Sequence, residues 1–275
     1  MKTYEDKCRR LHQIMRGLTE QDTAVAFSGG ADSSLLLKLA AHCSKENKTK
    51  VYAITASTEL HPVSDIQAAA QTAEEIGVKH LVLHLNELEH ADICQNPVDR
   101  CYRCKKYLFR EMQRAAEELQ IDTLLEGTNA DDLKVYRPGL KALSELGVIS
   151  PLKEAGMTKE EVRRLAREYG ITAADRPAAP CLATRFPYGA ELTQEKLKRV
   201  EQGEVFLKGF GFYNVRLRDH GGLARIEVDE REFPLVCGKR EEIAGYLRKL
   251  GFDYVTLDLE GFRSGSMDLH VKEKP

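Results

Sequence analysis

The sequence predicts an α/β protein, a doubly wound parallel sheet followed by a smaller C-terminal α+β domain. Apolar, β-branched runs at 23–27, 51–55, 80–85 and 121–125 alternate with helical stretches near 33–43, 65–76 and 104–119, the order that βαβ crossovers leave behind. Pro177, Pro180 and Pro187 forbid a single helix across 174–189, so an ordered loop joins two domains there. Beyond it the pattern changes to helix, hairpin, helix and strand. The expected domains are 1–175 and 176–275, with 176–190 as the connecting loop that carries Cys181.

The first strand, 23–27, runs from Ala26 and Phe27 into Ser28-Gly29-Gly30 and turns at once into a helix. Such a turn presents bare backbone N–H groups at a positive helix terminus, which is a phosphate site. The second strand is followed by Ala56-Ser57-Thr58-Glu59, placed to meet adenine or ribose, because open α/β sheets collect ligands at the carboxyl ends of their strands. Ser64-Asp65-Ile66-Gln67 reads as a capping box, and Ile66, Ala70, Ala73 and Ile76 form a stripe that Gly77 ends. Cys101-Tyr102-Arg103-Cys104 opens the next helix. The fourth strand leads into Glu126-Gly127-Thr128-Asn129-Ala130-Asp131-Asp132; its carboxylates suit a hard cation, or Asp131 and Asp132 act as helix caps. Thr158-Lys159-Glu160-Glu161 is a second capping box ahead of Val162, Leu165, Ala166 and Tyr169, ended by Gly170. In the second domain a helix over 193–207 precedes strands 213–219 and 223–228, which turn at His220-Gly221-Gly222. A helix over 239–250 and a strand over 254–259 complete it.

With 41 basic and 43 acidic side chains in 275 residues the formal net charge is −2, which argues against a chain that coats nucleic acid by charge. The first residues lack an apolar leader and no long uninterrupted apolar window occurs, so a cytoplasmic protein without membrane or nucleic-acid partners is expected. Seven cysteines at irregular spacing do not read as a disulfide scaffold. Cys8 and Cys43 read as buried small apolar groups.

At a helix start, beside Arg100, Arg103, Lys105 and Lys106, the thiolates of Cys101 and Cys104 are stabilised. Alone, the pair also fits a redox dithiol, half a zinc site or two ordinary cysteines. Cys181, in the constrained string Pro180-Cys181-Leu182-Ala183-Thr184-Arg185, raises the count to three. Three thiolates on one iron–sulfur cluster leave one iron open for substrate or sulfide; alternatively Cys181 is itself the sulfur that leaves. In the hairpin, Arg218 and Arg225 read as members of cross-strand ion pairs on a solvated face. Arg263, in a Gly/Ser loop, suits a bidentate phosphate contact.

The string Ser28 to Ser33 lacks the Walker lysine and resembles the PP-loop of the N-type ATP pyrophosphatases. That resemblance implies that Ser28, Gly29, Gly30, Asp32, Ser33 and Ser34 hold the β,γ-pyrophosphate of ATP and its Mg2+, with Ala26, Ser57, Gly127 and Thr128 completing the nucleotide site. The later strings, Arg100 to Lys105, Glu126 to Asp132, Tyr136-Arg137-Pro138-Gly139, Pro180 to Arg185 and Leu259 to Gly265, resemble over nearly the whole chain the LarE family, the ATP-dependent sulfur insertases of nickel-pincer nucleotide biosynthesis. The resemblance implies adenylation of the carboxylates of a pyridinium-3,5-dicarboxylate mononucleotide, release of pyrophosphate, and replacement of the activated oxygen by sulfur. Catalytic roles then fall to Cys181, Glu126 and Asp32, and Arg185, Arg216 and Arg263 face the substrate. Some members give up the sulfur of a cysteine at the position of Cys181; others hold a [4Fe-4S] cluster on three cysteines. With Cys101, Cys104 and Cys181 all present, the cluster form is expected here, fed by sulfide or another sulfur donor. The family also implies a homo-oligomer, a hexamer. The rival readings are another PP-loop enzyme, such as a tRNA thiolase or an amide-forming synthetase, and a non-catalytic nucleotide sensor.

Overall fold

The computed structural model describes residues 3–134, 138–175, 180–263 and 265–267. Tyr136, Arg137, Pro177 and Ser264, quoted above, lie outside them. Two compact units emerge, one of Met1–Ala91 with Cys101–Ala179, the other of Asp92–Arg100 with Pro180–Pro275.

In the first unit, α1 (Tyr4–Leu18) leads to β1 (Thr23–Ala26), α2 (Ala31–Asn47), β2 (Val51–Ser57), α3 (Val63–Ile76), β3 (Lys79–His84), α4 (Glu87–His90), α5 (Arg100–Glu118) and β4 (Thr123–Leu125). α6 (Gly139–Glu145), α7 (Pro151–Ala155) and α8 (Lys159–Glu168) follow. The sheet order is β3-β2-β1-β4, and every pairing within it is parallel. β1 is buried throughout and its side chains alternate between two cores. Val25 and Phe27 join Leu35, Leu36 and Leu39 of α2 with Leu11, Met15, Ala69, Leu152, Val162 and Leu165. Ala24 and Ala26 join Phe109, Met112 and Ala116 of α5 with Leu143. Helices therefore cover both faces, which is why the strands read as continuous apolar runs. Each fully buried leucine of α2 contributes about 1.5–3 kcal/mol over its exposed state.

The capping box at Thr158 forms, with Glu161 returning to the Thr158 N–H at 2.8 Å. The one expected at Ser64 does not. α3 begins two residues earlier, after Pro62, and has no side-chain cap; instead Asp65 N–H bonds the Pro62 carbonyl at 3.0 Å, an i+3 contact that satisfies that donor locally. α1 carries a capping box of its own, pairing Thr3 with Asp6. Cys43 is buried as expected, and Cys8 is half-buried.

The second unit contains α9 (Gln194–Lys208), β5 (Val215–Asp219), β6 (Leu223–Val228), α10 (Phe233–Gly238), α11 (Arg240–Lys249) and β7 (Tyr254–Leu257). β5 pairs antiparallel with β6 as the hairpin predicted, and β7 lies parallel to β6, giving a mixed sheet. Nothing in the sequence announces that 92–100 belongs to this unit. Asn96, fully buried, donates to the carbonyls of Phe186 at 3.2 Å and Pro187 at 2.7 Å and so pins the segment there.

Candidate active site

Strand order reverses at β1, which has β2 on one side and β4 on the other. Loops leaving the carboxyl ends of β1 and β4 diverge at such a switch point, where ligands bind in open α/β sheets. Ala26 ends β1. A carbonyl–hydroxyl chain fixes the next residue: Thr55 Oγ1 donates to the Phe27 carbonyl at 2.6 Å and lies 2.7 Å from His80 Nε2. The turn that follows is braced by Ser33, whose hydroxyl donates to the Gly30 carbonyl at 3.2 Å, lies 3.2 Å from Ser28 Oγ and accepts from the Ser28 N–H at 3.3 Å.

Gly29 has φ +72°, and a Cβ there would stand 3.0 Å from Ala69 Cα and 3.2 Å from Ala69 N, so both conformation and space demand glycine. Gly30 is the N-cap of α2 and brings no side-chain cap, which leaves the positive helix end to a ligand. Ser34 is one turn further in, fully buried, its hydroxyl without a partner. From the other side, a Cβ on Gly127 would come within 3.1 Å of Asp32 Cβ and of Ser33 N; glycine lets the β4 loop close on the start of α2.

Asp32 meets two groups. Lys159 Nζ forms an ion pair with Oδ2, and Asn129 Nδ2 lies 3.5 Å from Oδ1. In the sequence Lys159 looks like scaffold, because it sits inside the Thr158 capping box. Its signal was its position at the first turn of a helix, and only the packing of α8 brings it to the loop. Asp131 takes the capping role that the sequence left open, accepting from Lys159 N–H at 2.8 Å and Lys134 Nζ at 2.7 Å; the Lys134 bond, then the Lys159 N–H, hold its carboxyl below its usual range. Asp132 accepts from Asn129 N–H at 3.1 Å. Glu126 is buried, and both its oxygens accept hydroxyls, one from Thr128 at 2.7 Å, the other from Ser150. Ser57 ends β2, half-buried.

In the same unit, Cys101 and Cys104 occupy the first turn of α5, exposed and half-buried respectively. Cys181 belongs to the second unit, and among the described residues no group of three or more Cys, His, Asp or Glu gathers in a way that holds a metal ion.

Cys181 precedes the short 3-10 turn 182–185. Arg185, expected at the substrate, supports this turn: 3% exposed, it forks onto Glu204 at 2.8 and 2.9 Å and spends its remaining nitrogen on the turn itself. Arg218 and Arg225 do form ion pairs, both with Glu227, at 2.7 and 2.9 Å. The face is not solvated, however; Glu227 is fully buried and Arg218 is 5% exposed. The alternation showed polar side chains on one side of the hairpin but not that the 184 turn and Ser266 cover it. Arg216 lies over the Phe262 ring, 5.2 Å from its centroid; burial, then the neighbouring Arg185, push its pKa down. Arg263 pairs with Glu260 and lies 3.8 Å from Asp258.

A parallel α/β sheet whose first strand ends in a braced Ser-Gly-Gly turn, without a Walker lysine, defines a PP-loop ATP-binding enzyme. Residues 3–135 match the PP-loop domain family. An uncharacterized protein of Synechocystis sp. is 38% identical over 94% of this chain and 97% of its own length. The pyridinium-3,5-bisthiocarboxylic acid mononucleotide synthase of Lactiplantibacillus plantarum is 38% identical over 90% of this chain and 89% of its own length. An uncharacterized protein of Methanocaldococcus jannaschii is 32% identical over 87% and 90%. The chain belongs to the LarE family of ATP-dependent PP-loop enzymes. Among the described residues no helix is long and apolar enough to cross a membrane.

Proposed function

We propose that this enzyme activates the carboxylates of a pyridinium-3,5-dicarboxylate mononucleotide with ATP and converts them to thiocarboxylates. The observation that carries the reading is the near full-length match to the Lactiplantibacillus synthase in a chain whose phosphate turn is intact. A carboxylate accepts a sulfur nucleophile poorly until its oxygen becomes part of a good leaving group. Attack of the carboxylate on the α-phosphorus of ATP releases pyrophosphate and leaves an acyl-adenylate. A sulfur nucleophile then takes the acyl carbon and AMP departs with the oxygen.

The residues of the first unit suit the first half. The α2 terminus, Ser28, Gly29, Gly30 and Ser33 cradle the β,γ-phosphates, with Lys159 adding a positive charge. Ala26, Ser34, Ser57, Gly127 and Thr128 stay in the proposal as the rest of the nucleotide site. Asp32 offers one hard oxygen donor beside a lysine. That set fits a magnesium ion carried in on the triphosphate better than one caged by protein alone; when bound, the ion neutralises phosphate charge. Glu126, held by Thr128 and Ser150, orients the substrate or serves as a base.

For the second half, Arg216 and Arg263 are the proposed partners of the substrate phosphate, and Cys181 the sulfur-bearing residue. If Cys181 is sacrificed, its thiolate takes the acyl carbon; loss of the α-proton with cleavage of Cβ–Sγ then leaves dehydroalanine and the thiocarboxylate. The cluster form, with Cys101, Cys104 and Cys181 as ligands, is supported by the three-thiol count and by the i, i+3 spacing of the first two on one helix face. No step is drawn through it. A bound cluster supplies an open iron for a sulfide.

Intact mass spectrometry before and after turnover, with pyrophosphate assayed in parallel, tests the whole reading. The sacrificial route removes the elements of hydrogen sulfide from the chain at Cys181; the cluster route leaves the mass unchanged and gives iron and sulfide on anaerobic purification. Pyrophosphate release that does not depend on the mononucleotide, or thiolated nucleoside from bulk tRNA, overturns the assignment. Light scattering reads the oligomer that the resemblance implies.

A further inference from the structure

The turn that carries Cys181 is bolted down more heavily than a 3-10 turn requires. Thr184 donates twice to the Cys181 carbonyl, from its hydroxyl at 2.8 Å and its N–H at 3.1 Å. Arg185 Nη1 donates to the Pro180 carbonyl at 2.9 Å, reaches the Cys181 carbonyl at 3.3 Å and donates to Thr184 Oγ1 at 2.9 Å. Arg218 Nη1 donates to the Thr184 carbonyl at 2.9 Å. Both guanidiniums are fixed in turn. Glu204 holds Arg185 with both oxygens and also accepts the Leu217 N–H at 3.1 Å. Glu227 holds Arg218 at 2.7 Å while taking Arg225 at 2.9 Å and the Ser266 hydroxyl at 2.7 Å.

Burying two ion pairs is an inefficient way to stabilise a turn, because desolvation offsets most of the attraction and apolar packing does as well. What the network supplies is direction. The Pro180 and Cys181 carbonyls belong to the two peptide planes on either side of the Cys181 α-carbon. With both planes pinned, φ and ψ of Cys181, −56° and 151°, are held, and so is the Cα–Cβ bond; only χ1 is left to the thiol.

We propose that Thr184, Arg185 and Arg218 are positioning residues that aim Cys181 for sulfur transfer by pinning the peptide planes on both sides of its α-carbon. The proposal rests on the reading of Cys181 as the sulfur-bearing residue. A reacting atom displaced by about 1 Å loses on the order of a hundredfold in rate, so the aim should appear in kcat and not in KM.

Thr184→Val keeps the shape and removes the hydroxyl; Thr184→Ser keeps the hydroxyl. In the full chain, with Mg-ATP, sulfide and the mononucleotide, Thr184→Val should lower kcat for thiocarboxylate formation about tenfold or more with KM for the mononucleotide unchanged, and Thr184→Ser should restore it. Arg185→Lys, which keeps charge but loses the fork, should fall with Thr184→Val. A wild-type kcat in Thr184→Val, a rise in KM alone, or failure of Thr184→Ser to rescue a chain with the wild-type urea midpoint overturns the proposal. Alkylation of Cys181 by iodoacetamide at fixed pH, followed by intact mass, needs no turnover: Thr184→Val should react about fivefold faster, as expected when about 1 kcal/mol of hydrogen bonding is lost, and Thr184→Ser at the wild-type rate. Equal rates in all three chains refute the pinning whatever the enzyme makes. Wild-type chain that forms no thiocarboxylate refutes the functional reading instead.

Discussion

Gly29→Ala is the sharpest test of the phosphate turn. At φ +72° an L-residue costs about 1–2 kcal/mol. The added methyl would also stand 3.0 Å from Ala69 Cα, 3.1 Å from its Cβ and 3.2 Å from its nitrogen, atoms of α3 that have no flexible end to swing away. Crowding of this kind costs about 1–3 kcal/mol, so the total is about 2–5 kcal/mol. Where it appears depends on the turn. If the turn keeps its shape without nucleotide, the folded state bears the whole cost; if it relaxes, ATP binding does. The sum is fixed either way, and both parts are measurable, by urea unfolding without nucleotide and by calorimetric titration with a non-hydrolysable Mg-ATP analogue. Falling wholly on binding, about 2 kcal/mol weakens affinity roughly thirtyfold and more follows in proportion. Gly17 in α1 is the control: a Cβ there meets nothing within 4 Å, so Gly17→Ala should stabilise the chain by about 0.5–1 kcal/mol and leave ATP affinity alone. A summed cost for Gly29→Ala below about 0.5 kcal/mol refutes the geometry argued for the turn.

Lys159→Met removes a charge from the Asp32 side of the phosphate site; with a charged hydrogen bond worth about 1.5–3 kcal/mol, mononucleotide-dependent pyrophosphate release should fall on the order of tenfold to a hundredfold, and an unchanged rate would remove Lys159 from the site. Glu204 is 3% exposed; burial pushes its carboxyl up, but the Arg185 hydrogen bonds and charge outweigh that and hold it below the usual range. That stability is therefore present above about pH 4.3 and lost as pH falls through and below it; Glu204→Ala should cost about 3–5 kcal/mol at neutral pH by stranding Arg185, and urea midpoints should show the variant less sensitive to acid. Burial lowers the pKa of His80, and burial with His42 and Arg16 lowers that of His12. Neutral forms are thus favoured in the folded chain, and stability should decline as pH drops below about 6.5. His80→Gln, which retains a donor toward Thr55, should shallow the decline between about pH 7.5 and 5.5, and equal slopes would show that His80 carries no share of it.

Much of the fold was written locally. The continuous apolar run of β1, the other β-branched runs, the Thr158 box and the His220-Gly221-Gly222 turn each depend on a few neighbouring residues, so they could be read before any packing was known. The phosphate turn was legible for the same reason, since a strand, Ser28-Gly29-Gly30 and a helix start are contiguous. Ser64 misled because Pro62, two residues before it, already supplies the carbonyl that the helix start uses. The partner of Arg185 was illegible for a different reason, since a guanidinium beside a motif cysteine looks the same in sequence whether or not it meets a buried glutamate.

By itself, then, the sequence determined the α/β class, the parallel sheet with its carboxyl-edge loops and the phosphate turn, because short-range periodicity and backbone conformation are encoded within a turn or two of chain. Tertiary structure alone decided that Lys159 reaches Asp32 across 127 positions, that Asn96 draws 92–100 into the second unit, and that Arg185 and Arg218 become buried struts against Glu204 and Glu227. A charged side chain does not record its partner. Which opposite charge it meets, and whether water remains between them, is settled only when distant segments pack and desolvation makes pairing obligatory.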